Sequence, residues 1–140
     1  MTDIATSAPA VSSVVEGFLE AVRSGTGADT ASLFAADGVL DAVVPNWHFQ
    51  VHGRTAIGEE LGRWYADPGE FEAVEVSPTP QGAIVTFTLS WEENGVPHAC
   101  RQAHLLSLGP DGRIAQDHAW CGGRWSAQLL AEMEAARHAG

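Results

Sequence analysis

Two turn signals, each between long runs of strand-forming residues, constrain the fold of this chain more than any other feature. Asn94-Gly95 is a dipeptide typical of a two-residue hairpin turn, and it separates residues 82–92 from residues 97–108. A Gly-Pro-Asp-Gly run, residues 109–112, separates residues 97–108 from residues 113–121. Strands joined by such short turns pair antiparallel in chain order. The sequence therefore predicts an antiparallel meander of three strands.

The Asn94-Gly95 turn fixes the register of the first hairpin. It sets Val85 opposite His104 and Phe87 opposite Gln102. Because side chains alternate along a strand, the two faces of residues 84–91 differ in character. One face carries Val85, Phe87, Leu89 and Trp91, and the other carries Ile84, Thr86, Thr88 and Ser90. We expect the apolar face, with His104 on it, to point into the protein.

The second hairpin predicts a histidine–carboxylate pair. If residues 109–112 form the loop, Leu108 faces Arg113 and His104 faces Asp117, with Cβ atoms about 4.5 to 5.5 Å apart. A loop of three or five residues would instead set His104 opposite His118 or Gln116. A titratable imidazole beside a carboxylate in an apolar setting is a candidate acid/base pair.

The same register places the chain's two cysteines, Cys100 and Cys121, opposite each other. We interpret them as small, reduced core residues, because no secretory feature accompanies them. A redox pair would need a lowered thiol pKa, and the sequence places no cation on that face.

Composition limits the classes of function. The 140 residues fit one domain, for which we expect a flexible tail over residues 1–10 and a single unit over residues 11–140. A formal charge of −11, from 18 acidic and 7 basic side chains, opposes binding to nucleic acid or to anionic membranes. No signal peptide or run of about 20 apolar residues is evident, so we expect a cytoplasmic protein.

The remaining patterns predict helices at both ends of the chain. A capping box of Ser13 and Glu16 predicts a first helix that ends near Gly25, and short helical and strand signals follow. The predicted elements are a helix over residues 30–35, strands over 39–44 and 47–52, a helix over 54–65 and a strand over 71–77. Ser126 predicts the cap of a last helix that turns Leu129, Leu130 and Met133 inward. This order predicts an α+β fold with a pocket between helices and a curved sheet.

The spacing of the histidines in the second predicted strand disfavours a metal site. His48 and His52 alternate along one strand near Asp41, but four residues of strand separate their side chains by roughly 13 Å. We therefore predict a polar strand face and no metal.

Four short motifs follow one another in order, at residues 18–25, 33–37, 51–57 and 111–114. Together they resemble the nuclear transport factor 2-like superfamily, in its SnoaL-like polyketide cyclase and ketosteroid isomerase branches, and the resemblance covers about residues 11–121. It implies a cone-shaped α+β protein: a curved mixed, mostly antiparallel sheet wrapped around the N-terminal helices, with a C-terminal helix. It also implies a homodimer, and chemistry that needs no cofactor.

Position by position, the resemblance disfavours ketosteroid isomerase chemistry. This chain has Phe18 where that branch has its tyrosine donor, Ala42 where it has its base, and His104 where it has a further acid. The polyketide cyclase branch is closer, because His104 and Asp117 match its pocket histidine and its acid/base aspartate. The resemblance thus implies that Asp117 and His104 are catalytic.

Two surfaces follow from the alternation of the strands. The residues expected to line a pocket for a small apolar or aromatic molecule are Phe18, Leu40, Ala42, Leu61, Trp64, Phe87, Leu89, Trp91, Gln102 and Ala119. The opposite sheet face is expected to form a homodimer through Thr86, Thr88, Ser90, Ala103, Leu105, Ser107, Ile114, His118 and Trp120.

Two hypotheses about function remain. The first is a cofactor-free enzyme that carries out cyclisation, isomerisation or hydration of an apolar cyclic or polyketide-like substrate, with Asp117 as acid/base and His104 as its partner. The second is a non-catalytic module of the same fold, which binds a small apolar ligand or pairs with another protein and in which the His104–Asp117 pair is structural. An open cavity beside Asp117 would favour the first.

Overall fold

The computed structural model describes the backbone of residues 2–139 and the side chains of residues 11–139. Its elements, in chain order, are α1 (Thr2–Ser24), a 3-10 helix (Gly27–Leu33), β1 (Phe34–Val44), β2 (Trp47–His52), α2 (Arg54–Trp64), β3 (Gly69–Thr79), β4 (Gly82–Glu93), β5 (Val96–Leu108), β6 (Ile114–Cys121) and α3 (Ala127–Ala139). The six strands form one sheet in the order β2-β1-β6-β5-β4-β3. The β1–β6 pair is parallel and the other pairs are antiparallel, which confirms the predicted α+β class.

The helical predictions are partly correct. α1 ends at Ser24 and is followed by Gly25 in the left-handed region (φ 73°), as expected of a helix C-terminus. Ser13, predicted as a cap, lies inside α1 instead. The short second helix is a 3-10 helix over Gly27–Leu33, because β1 already begins at Phe34. The predicted tail over residues 1–10 lies outside the residues whose side chains are described, and it stays a prediction.

The sequence correctly predicts the cap of the last helix but not how that helix packs. The backbone N–H of Leu129 donates to Ser126 Oγ at 3.3 Å, as a cap requires. No residue of α3 is buried, however, and Leu129 is 42% exposed. The inward orientation predicted for Leu129 is therefore wrong, whereas Leu130 and Met133 are half-buried where α3 packs beside β5, outside the core.

The core lies between the helices and the inner face of the sheet. α1 and α2 contribute Phe18, Val22, Ile57 and Leu61, all fully buried. The strands contribute Leu40, Ala42, Val85, Leu106 and Ile114. Burial alternates along β4 as predicted, with Val85, Phe87 and Leu89 inside and Ile84 exposed.

The register of the first hairpin is confirmed, and that of the second is corrected. Val85 faces His104, and Phe87 faces Gln102. In the second hairpin Leu108 faces Ile114, so the loop has five residues rather than four. A register shift between Ser107 and Leu108 then leaves Ala115 as an extra residue of β6.

The longer loop and the bulge each shift the register by one residue, and together they leave Asp117 on the predicted face of the sheet. A five-residue loop alone would turn Asp117 to the outer face, and the bulge at Ala115 returns it to the inner face. His104 now faces Ala119, and Asp117 faces Leu106, so the pair is diagonal rather than directly opposite. Cys100 and Cys121 are likewise offset, because Gln102 faces Cys121.

The bulge also moves Ile114 off the predicted dimer face. Ile114 is fully buried in the core, because the extra residue at Ala115 lets both Ile114 and Asp117 point inward. Ile114 therefore belongs to the interior.

Deletion of Ala115 should be tolerated far better than deletion of His118. Removal of the bulged residue leaves every ladder pair from His104 to Leu108 in place, whereas removal of His118 turns Trp120 inward and Ala119 outward. We expect ΔAla115 to lower the free energy of unfolding by about 1–2 kcal/mol and ΔHis118 to prevent cooperative folding. Urea unfolding followed by far-ultraviolet circular dichroism measures both. Equal effects of the two deletions would contradict the bulge assignment.

Candidate functional site

A hydrogen-bonded network surrounds His104 on the inner face of β5. Nδ1 of His104 lies 3.0 Å from both carboxylate oxygens of Asp117. Nε2 lies 2.9 Å from Gln102 Oε1 and 3.2 Å from the hydroxyl of Tyr65. That hydroxyl also donates to Gln102 Oε1. The four side chains thus form one connected polar group.

Three elements bring these side chains together. His104 and Gln102 are two residues apart on β5, so both point inward. Asp117 comes from β6 through the diagonal register described above. Tyr65 follows directly after α2, where its backbone N–H still donates to Leu61 O at 2.9 Å. The end of α2 therefore places the phenol over the sheet.

The His104–Asp117 pair is closed off from solvent by aromatic rings and by the other two members of the network. Both His104 and Asp117 are 0% exposed. The ring of Phe87 is stacked on His104 with centroids 5.7 Å apart, and Phe18 meets it edge-on at 4.9 Å. Among the side chains that the structure describes, no buried polar atom lacks a hydrogen-bond partner. Such a network is rigid, because each member would be costly to leave unpaired.

The hydrogen-bond pattern favours an imidazolium–carboxylate pair. Both ring nitrogens of His104 face oxygen atoms that accept hydrogen bonds, and a doubly protonated ring satisfies all of them. Burial raises the pKa of Tyr65 well above its usual range, and the negative charge of Asp117 raises that pKa further. The phenol therefore keeps its proton and remains a donor toward Gln102.

A cavity of about 620 Å³ lies beside the network. Its lining residues are Val44, Pro45, Arg63, Trp64, Tyr65, Ala66, Asp67, Leu89, Trp91, Glu93, Cys100, Gln102, Cys121, Gly123 and Arg124. Tyr65 and Gln102 are the members of the network that line it, whereas His104 and Asp117 do not. One layer of side chains, formed by Tyr65 and Gln102, therefore separates the cavity from the His104–Asp117 pair.

Of the residues predicted to line the pocket, some line the cavity and the others lie in the packed core. Trp64, Leu89, Trp91 and Gln102 line the cavity. The residues placed in the packed core instead are Phe18, Leu40, Ala42, Leu61 and Ala119, none more than 1% exposed, and Phe87, which packs against His104 and Tyr65. They do not line this cavity because they pack against one another in the core between the helices and the sheet.

Sequence reasoning missed the charged and polar rim of the cavity. Arg124 forms an ion pair with Glu93 and lies over the Trp91 ring, 5.7 Å from its centroid. A bridge between Ala99 and Trp125 holds this segment against β5. The segment follows β6 without any periodic pattern, so only the tertiary bridge shows where Arg124 lies. Tyr65, by contrast, lies within the helix predicted over residues 54–65, and its spacing of four from Leu61 indicates the inner side of that helix.

The outer face carries a separate polar cluster. Asp41 accepts a hydrogen bond from Gln50 at 2.8 Å and lies 3.0 Å from His48 Nε2, while His118 Nδ1 is 3.9 Å away. This is the polar strand face that the sequence predicts. Over residues 11–139, no three His, Cys, Asp or Glu side chains are placed to hold a metal ion. No helix in the described part of the chain is long and apolar enough to cross a membrane.

Comparison with solved structures supports the fold. A Xanthomonas campestris pv. campestris protein proposed to be a polyketide cyclase is similar at a TM-score of 0.63 and 15% identity, with 80% of this chain and 90% of that chain covered. SalBIII, an epoxide hydrolase/cyclase-like enzyme with a role in pyran ring formation in polyether salinomycin, gives 0.62 and 14% identity over 83% and 95% of the two chains. A Catenulispora acidiphila protein with a ketosteroid isomerase-like fold, in complex with trimethylamine, gives 0.57 and 22% over 78% and 85%.

Sequence comparison identifies the family. No curated protein matches the chain. The family model of the SnoaL-like domain matches residues 15–117, which run from α1 to the buried carboxylate of β6. This chain therefore belongs to the SnoaL-like domain family, within the nuclear transport factor 2-like fold.

Proposed function

We propose that this protein is a cofactor-independent enzyme that transfers a proton on an apolar cyclic or polyketide-like substrate, as in a cyclisation, isomerisation or hydration. The observation that carries the proposal is the buried His104–Asp117 pair, which reaches the cavity through Gln102 and Tyr65. Buried charge next to a cavity is enriched at catalytic sites.

The sequence assigned the acid/base role to Asp117, but this carboxylate is fully buried and does not line the cavity. In the proposed mechanism Asp117 therefore fixes the charge and orientation of His104, and the proton moves through His104 and Tyr65. When the Tyr65 O–H turns from Gln102 Oε1 to a substrate in the cavity, the imidazolium can pass a proton from Nε2 to that hydroxyl as the hydroxyl protonates a substrate oxygen or carbon. A concerted transfer avoids a free phenolate, which the raised pKa of Tyr65 and the nearby Asp117 charge disfavour. From the state in which His104 Nε2 has given up its proton, the same chain of groups runs in reverse: Tyr65 takes a proton from an activated carbon as its own proton passes to Nε2.

The walls of the cavity indicate the class of substrate. Trp64, Trp91 and Leu89 supply flat apolar surfaces, and the side chains of Arg63 and Arg124 bring cationic donors to the rim. Planar, conjugated ligands with carbonyl oxygens match this combination. Two of the similar structures are a proposed polyketide cyclase and an enzyme of pyran ring formation, which supports a ring-forming reaction here.

The second candidate is a ligand-binding module without catalysis. It is favoured by the complete burial of Asp117, which leaves that carboxylate without direct access to the cavity. A structural pair would hold β5 and β6 together while the cavity binds a ligand passively.

We also propose a homodimer formed by the outer face of the sheet. Trp120 is 46% exposed there, next to Val43, Ala103 and Thr86 around a shallow hollow. An apolar sheet face of this kind suits sheet-to-sheet contact across a twofold axis.

Asp117→Asn should reduce both proton transfer and stability. We expect hydrogen–deuterium exchange at the acidic carbon of an aromatic β-diketone, followed by nuclear magnetic resonance in D₂O, to slow by at least about 100-fold. Loss of one partner of a buried pair should also cost about 3 kcal/mol in free energy of unfolding. Wild-type protein that catalyses no exchange but binds the diketone would favour the binding module.

Asp41→Asn is the matched control for that experiment. Asp41 also pairs with a histidine at 3.0 Å, but its partner His48 is solvent-exposed. We expect less than about 1 kcal/mol loss of stability and unchanged exchange. If Asp41→Asn cost as much as Asp117→Asn, burial of the inner pair would not be the cause.

Aromatic carbonyl ligands should quench tryptophan fluorescence and raise the melting temperature. Trp91→Ala should weaken binding by about tenfold, because it removes one wall of the cavity. Trp47→Ala is the control, since Trp47 is 69% exposed and lines no part of this cavity. Equal loss of affinity in both variants would place the ligand elsewhere.

Trp120→Glu should convert a dimer to a monomer, because it places a charge in the centre of the proposed apolar interface. Light scattering at micromolar concentration measures the change in mass. Trp47→Glu adds the same charge at an exposed tryptophan at the β1–β2 turn and should leave the mass unchanged. A monomeric wild type would refute the dimer directly.

A further inference from the structure

We propose that Cys121 is a nucleophilic thiolate in the cavity and forms thioether adducts with α,β-unsaturated carbonyl compounds. The inference uses the cavity of the proposed function but does not depend on proton transfer by the His104–Asp117 pair. It assigns to this site a covalent chemistry that the family resemblance does not imply.

The first support is the set of donors around the sulfur. Sγ of Cys121 lies 3.4 Å from Gln102 Nε2 and 3.4 Å from the backbone nitrogen of Gly123. Gly123 has φ 103°, a conformation that side-chain-bearing residues rarely adopt, and an added Cβ would lie 3.0 Å from Pro45 Cγ. The turn after β6 is thus built so that a backbone N–H points at the thiol.

The second support is that the network fixes which end of the Gln102 amide faces Cys121. Oε1 accepts hydrogen bonds from Tyr65 and lies 2.9 Å from His104 Nε2. Two donors on that side hold the oxygen inward, so the amide N–H₂ group points toward Cys121. Hydrogen bonds to Oε1 polarise the amide and so strengthen its N–H group as a donor to the sulfur.

The two cysteines differ in acidity as a result. The Cys100 thiol, which donates to Cys121, is the largest cause of a Cys121 pKa of about 6, and the Gly123 and Gln102 donors lower that pKa further against the opposing effect of burial. The same interaction, together with burial, raises the pKa of Cys100 far above its usual range. The sequence offered no cation for this face, but neutral N–H and S–H donors take that role.

The other titratable groups near the cavity do not oppose this state. His104, behind Gln102, favours the thiolate through its charge. Tyr65 stays neutral, and Glu93 is paired with Arg124 at the rim. Arg63 and Asp67 complete the charged lining.

The chemistry of sulfur selects the ligand class. A thiolate is a soft nucleophile that adds to the β-carbon of a conjugated enone. The C–S bond forms as the C=C π bond breaks, the electron pair moves to the carbonyl oxygen as an enolate, and water then protonates the α-carbon. No oxidant or cofactor is consumed. Trp64, Trp91 and Leu89 line the space in which a flat enone would lie.

The test is the pH dependence of alkylation by N-ethylmaleimide, a small α,β-unsaturated carbonyl probe. With limiting reagent, mass spectrometry of peptides should find at least about 90% of the adduct on Cys121. Its rate should rise with pH around a midpoint near 6. In urea both thiols should react equally, with a midpoint near about 8.5. Because the chain has two cysteines, Cys100 is an internal control.

Two variants test the cause. Gln102→Leu and Cys100→Ala each remove one donor and should raise the midpoint of Cys121 alkylation, while Thr88→Ala on the outer face should not move it. Circular dichroism verifies that each variant is folded. Preferred labelling of Cys100, or a folded-state midpoint equal to that in urea, would overturn the proposal. The labelling readout needs no substrate turnover, so its failure would leave the proton-transfer proposal to its own test.

Discussion

The alternation of side chains along β6 is the constraint on which the rest of this structure depends. Three residues of that strand must point inward for different reasons: Ile114 fills the core, Asp117 balances His104, and Cys121 faces the cavity. A regular strand entered from a five-residue loop would turn Asp117 outward. The bulge at Ala115 resolves this conflict, because one extra residue lets both Ile114 and Asp117 face the interior.

Once Asp117 is inside, its charge determines the composition of its surroundings. A buried carboxylate is tolerated only if it is paired and hydrogen-bonded, and His104 supplies both. The imidazole then presents a second nitrogen that also requires a partner, which Gln102 and Tyr65 provide. Each hydrogen bond thus brings in a further polar group, which needs a hydrogen-bond partner of its own. From Gln102 a further hydrogen bond leads to Cys121, which lines the cavity with Tyr65 and Gln102.

The elements and faces of this fold were predictable from the sequence to the extent that they arise locally. The Asn94-Gly95 turn fixed the β4–β5 register, because a two-residue turn leaves no freedom in pairing. The β5–β6 register was not predictable, since nothing in residues 109–116 distinguishes a four-residue loop from a five-residue loop with a bulge. The His104–Asp117 contact was nevertheless predicted, because the longer loop and the bulge together leave Asp117 on the same face as a four-residue loop would.

The candidate site was less predictable than the fold because it depends on tertiary contacts. Phe18, Leu40 and Leu61 are fully buried because α1 and α2 pack closely against the sheet. The alternation of side chains along a strand predicts which face a residue lies on but not how closely a helix packs over it. The rim is set by Arg124, placed there only by the bridge between Ala99 and Trp125. Gln102 shows the physical consequence most clearly. Its oxygen lies 2.9 Å from His104 Nε2 and its nitrogen donates to the thiol, so a single planar amide connects the buried pair to Cys121.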